Sequence, residues 1–64
     1  MNKSEQREVN RAIAFAKVDE RMAAATIATL MRAATKKTAA ELLAIANEHD
    51  LTKHMRVVNG CYVA

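Results

Sequence analysis

The sequence predicts a single, mainly α-helical domain over residues 1–64 that ends in a short C-terminal β-hairpin or extended tail. Three observations lead there. The chain has no proline and its only glycine is Gly60, so nothing in the first 59 residues strongly breaks a helix. Alanine, the best helix former, supplies much of the 52% hydrophobic content. From Val9 to Ala34, apolar residues recur in alternating steps of four and three.

The first element is a long N-terminal helix from about Ser4 to Thr35. Asn2 and Ser4 both suit its N-cap, and Glu5 and Glu8 favour its positive end. Val9, Ile13, Ala16, Ala23, Ile27, Leu30 and Ala34 form a heptad seam that only Glu20 interrupts. Ala12, Ala24 and Met31 broaden it. Unbroken, such a helix is about 45–50 Å long. Phe15, Val18 and Met22 make a second apolar strip on roughly the opposite face, so the helix needs cover on two sides. The alternative is a break near residues 17–20, where Asp19 would cap a second helix. With no glycine or proline there, the unbroken form is favoured.

Thr35-Lys36-Lys37-Thr38 reads as a polar connection, with both lysines suited to the negative end of the preceding helix. Thr38-Ala39-Ala40-Glu41 matches the capping box and starts a second helix at about 39–49. Leu42, Ile45, Ala46 and His49 share one face of it. Asp50-Leu51-Thr52 is a turn. Beyond it, Asn59-Gly60 lies between β-branched and aromatic residues, a type I′ hairpin signal. The register sets Val57 opposite Tyr62 and Val58 opposite Cys61.

Composition bounds the function. A 64-residue chain is one domain, and a core of that size supplies only about 3–5 kcal/mol. One cysteine cannot form an intrachain disulfide. The remaining supports are close helix packing and self-association, which points to a homo-oligomer through Val9, Ile13, Ala16, Glu20, Ala23, Ile27, Leu30 and Ala34. Glu20 would then set the register, answered by Lys17 or Arg21 of a neighbouring chain. The bland reading of Glu20 is a helix break or a half-exposed position. The free cysteine and the absence of a secretory signal point to the cytoplasm, and the most apolar run, Met22–Ala34, is too short to span a bilayer.

Net charge is +3. Lys3, Arg7 and Arg11 form a basic stripe at i, i+4, i+8; Arg32, Lys36 and Lys37 form a second group, and Lys53 and Arg56 a third. These are the candidate nucleic-acid contacts. A solvated face with local pairs such as Glu8–Arg11 and Lys17–Glu20 is the favoured reading of them. Two aromatic residues, Phe15 and Tyr62, are too few for a single-strand binder. A helix-turn-helix over 38–58 fails where Asp50, His49 and Arg56 stand in for a glycine and two apolar residues.

His49, Asp50, His54 and Cys61 match no zinc spacing, and no oxyanion donor or glycine-rich loop accompanies Cys61. No catalytic residue, cofactor, metal, membrane contact or small-molecule substrate is expected. The expectation is a non-enzymatic protein-interaction module, a small oligomeric regulator or inhibitor docking on a larger protein partner. The runner-up is a DNA-binding regulator using basic groups on a helical dimer.

Overall fold

The computed structural model describes residues 1–64 as three helices, a 3₁₀ turn and a hairpin. Helix α1 spans Lys3–Phe15, α2 Glu20–Ala33 and α3 Lys36–Glu48; a 3₁₀ turn at Thr52–His54 leads into strands β1, Arg56–Val58, and β2, Cys61–Val63. No helix is long and apolar enough to cross a membrane.

Asn2, rather than Ser4, starts α1. Its side chain accepts from Glu5 N–H at 2.8 Å while Glu5 Oε1 accepts from Asn2 N–H at 3.0 Å, a reciprocal capping box. The long helix does not continue past Phe15. Val18 and Asp19 N–H groups both donate to the Phe15 carbonyl at 2.9 Å, and the chain reverses. Asp19 then caps α2, accepting from Met22 N–H at 3.1 Å.

The reason is burial. A continuous helix would hold both halves of its heptad seam in water. Folding back lets Val9 and Ala12 pack with Ala23, Ala24 and Ile27 in one core. Each large side chain so buried contributes about 1.5–3 kcal/mol. Interrupting the helix forfeits a few backbone bonds at about 0.5–1.5 kcal/mol each, partly replaced by the turn and the Asp19 cap.

Helix α3 also starts earlier than its sequence signature suggests. Thr35 is the N-cap, its hydroxyl accepting from Thr38 N–H at 3.3 Å, so Thr38 lies inside the first turn. The two-residue link Ala34–Thr35 is extended at both positions and folds α3 directly back onto α2. An additional helical turn pairs backbone groups that a longer loop would leave to solvent.

The end of α3 is a Schellman motif. Leu51 N–H donates to Ala46 O at 2.8 Å and Asp50 N–H to Asn47 O at 3.1 Å. Asp50 takes the left-handed conformation usually given to glycine, φ 58°. Leu51 and Ala46 are both fully buried, the apolar contact that closes such a cap. The hairpin has the expected register, Val57↔Tyr62 and Val58↔Cys61, with φ 53° at Asn59 and 79° at Gly60.

Helix α2 is central: α1, α3, β2 and the 3₁₀ turn all pack on it. Five of the ten buried residues are alanine, so the core gains by close helix approach, with Ile27, Leu42, Leu51 and Val9 as its largest fully buried members. Tyr62 and Met55 lean on that core from the hairpin side, while β1 is exposed along its whole length.

Candidate docking surface

The predicted interface seam turns inward. Val9, Ala23 and Ile27 are buried within the chain, and Ile13, Ala16, Leu30 and Ala34 are half-buried against the same core. Glu20 is answered within the chain: it is the first residue of α2, exposed, with Lys53 Nζ at 3.3 Å and His54 Nε2 at 3.0 Å. Within the chain, Lys17 and Arg21 make no ion pair with it.

A carboxylate only accepts, so His54 Nε2 donates to Glu20. Lys53 also reaches Asp50 at 3.1 Å. These contacts fasten the 3₁₀ turn to the start of α2. The hydrogen bond from His54, then the hydrogen bond and charge of Lys53, hold the Glu20 carboxyl below its ordinary value. Asp50 first, then Glu20, raise Lys53 above its own. Both groups are solvent-exposed, so the cluster orients the turn more than it stabilises the fold.

The basic candidates are all exposed and fall in separate groups. Lys3, Arg7 and Arg11 run along the side of α1 opposite Val9 and Ala12, with Arg11 paired to Glu8 at 3.8 Å. Arg32 ends α2, and its guanidinium donates to Thr29 Oγ1 at 3.3 Å. Lys36 and Lys37 open α3 instead of closing α2, at the helix end where positive charge is disfavoured. Lys53 and Arg56 lie apart from these, on the 3₁₀ turn and β1. The segment after α3 holds only a three-residue turn and a hairpin, so no recognition helix follows. Cys61 is exposed, and no three His, Cys, Asp or Glu side chains converge on a common point.

The fold leaves Phe15, Val18 and Met22 uncovered, with Met1 and, on β1, Val57 and Val58 exposed elsewhere. Phe15 is 44% exposed, Val18 79% and Met22 53%, at the corner where α1 passes into α2. Met22 and Ala25 continue this apolar strip onto the outer side of α2, where they line two open grooves. One, of about 370 Å³, lies toward Glu8 of α1 and runs past Thr26, Thr29 and Leu30. The other, of about 670 Å³, lies toward Met55 and Arg56. Sequence reasoning singled out Met22, but on the face of a continuous helix that the break after Phe15 removes. It missed Ala25 and Met55, because only the return of the hairpin onto α2 brings Met55 beside them. Comparison with protein-family models, curated proteins and solved structures gives no match to this chain.

Proposed function

We propose that the chain is a non-enzymatic protein-interaction module, a small regulator or inhibitor that docks on a larger protein through the α1–α2 corner. The observation that carries this reading is the Phe15, Val18 and Met22 strip, uncovered in a fold that buries the apolar seam beside it. Clustered exposed apolar side chains mark interaction surfaces. Both grooves beside the strip are open, a shape suited to a docked element rather than an enclosed substrate.

A photo-cross-linking residue at Val18, in cells expressing the protein, tests the reading, with the same residue at exposed Asn10 as control. A discrete adduct at position 18, missing at position 10 and lost on Phe15→Glu, is expected. Equal labelling at both positions refutes the surface.

The competing reading, a DNA-binding regulator, draws on Arg32, Lys36 and Lys37, which gather at the α2–α3 corner without any ion pair. It predicts DNA retention that falls steeply with salt and is lost on Lys36→Glu/Lys37→Glu.

A further inference from the structure

The larger groove has an apolar floor and unmatched positive charge on its rim. Met22 and Ala25 of α2 and Met55 ahead of β1 form the floor. Arg21, Lys53, His54 and Arg56 stand around it, with Asp19 the one acidic side chain and Ala64, the last residue, also on its edge. That carboxylate is already engaged at the α2 cap, 3.1 Å from Met22 N. Lys53 is held by Asp50 and Glu20, and His54 by Glu20. Arg21 and Arg56 enter no ion pair.

An arginine on an open surface is ordinary. Two on the rim of one groove, with the neighbouring acidic side chains of Asp19, Glu20 and Asp50 already engaged, favour a ligand that brings its own. Guanidinium groups bind carboxylates in a fixed, two-pronged geometry. Resting on the docking reading above, we propose that this groove binds an acidic amphipathic helix of a different protein. Its apolar residues, spaced i, i+3 or i+4, i+7, seat on Met22, Ala25 and Met55, and its carboxylates reach Arg21 and Arg56. A second copy of this chain fits less well. The chain carries ten lysines and arginines against seven acids. Its acidic helix faces are already answered: Glu41 and Glu48 on α3 share theirs with Lys37, and on α1 Glu5 is held at the Asn2 cap and Glu8 pairs with Arg11.

The test is selection from a randomised library of displayed helical peptides, with wild-type protein, Arg21→Glu/Arg56→Glu and Met22→Glu as parallel baits. All three positions are exposed, and a cooperative melt by circular dichroism verifies each bait. Arg21→Gln/Arg56→Gln replaces the charge reversal if that bait fails to fold. Wild type should enrich peptides with Asp or Glu flanking an apolar helical stripe. Their affinity should fall roughly tenfold or more without the two arginines, and weaken with salt. Neutral or basic binders that Met22→Glu still abolishes would overturn the acidic partner while leaving the docking reading intact. No enrichment, or binders indifferent to Met22→Glu, would overturn both. A concentration-dependent dimer in light scattering, lost in the arginine variants, would make the occupant a second copy and overturn the proposal.

Discussion

Single residues in this molecule act mainly through where their charges sit. The Glu20 carboxyl is held below its ordinary 4.5 by His54 and Lys53. A depressed carboxyl contributes stability that is present above its unfolded value and lost as pH falls through its folded value. Glu20→Gln should therefore melt below wild type at neutral pH, with the two curves converging in acid below the ordinary carboxylate range. Thermal melts by circular dichroism from pH 2 to 7 would show this, and a constant gap at every pH would refute it. Lys53, raised by Asp50 and Glu20, works in the opposite sense: its contribution is intact below 10.5 and disappears as pH climbs through the raised value. Lys36 and Lys37 are the reverse case, cations in the first turn of a helix that has no acid there. Replacing both with glutamate should raise stability by about 0.3–1 kcal/mol per site. That makes the pair a clean probe of the DNA reading. If retention on DNA vanishes while the melting temperature rises, unfolding cannot be the reason; if retention is unchanged, the DNA reading fails.

At the scale of elements, the caps decide where helices begin and turns decide where the chain reverses. Asp19 is the capping side chain that lets α2 start after the turn. Asp19→Ala should cost about 1 kcal/mol in chemical denaturation; no loss would mean that packing alone fixes the reversal. Gly60, at φ 79°, has nothing within 4 Å of where a Cβ would sit. Gly60→Ala should thus cost about 1–2 kcal/mol from torsion alone, without a clash. Asn59→Gly, at a position that already has positive φ, should stay near neutral. These elements also show what the sequence could disclose. The hairpin was legible to the register, because Asn-Gly dictates local geometry whatever surrounds it. The helical content was legible from alanine and from the heptad spacing. The break at residues 16–19 was not, since a seam facing a partner chain and a seam facing itself have the same pattern. Asp19 could be seen as a cap, but the energy that selects the break lies in contacts between Val9, Ala12, Ala23 and Ile27, which no local signal records. The α3 start was misplaced for a related reason: Thr35 and Thr38 are both good caps, and the short link to α2 chose between them. The spacing that joined Phe15, Val18 and Met22 on one helix face does not survive the break, since Phe15 ends α1, Val18 lies in the turn and Met22 belongs to α2; their exposure, and the groove that Met55 returns to line, are set by the tertiary fold.

The whole molecule is a flat body, 28 × 27 × 16 Å, with 4466 Å² of accessible surface. A compact protein of this mass would expose about 4,000 Å². The excess is in keeping with the flat shape and with β1 exposed along its whole length. Flatness also separates two kinds of apolar residue that the sequence could not tell apart, and a pair of substitutions reads the difference. Ile27 is fully buried at the centre of the core. Ile27→Asp places an unpaired carboxylate there at a cost of several kcal/mol, comparable to all that a core of this size supplies. It should abolish the cooperative melt at every protein concentration. Val18, mostly in water, should accept aspartate with the melt changed by no more than about 0.5 kcal/mol. Light scattering across a concentration series completes the comparison. Were Ile27→Asp to remain folded and merely lower the solution mass, the seam would be an interface after all, with the α1–α2 reversal replaced by pairing between chains. Were Val18→Asp to unfold the protein, the exposed corner would belong to the fold and could not be the docking surface.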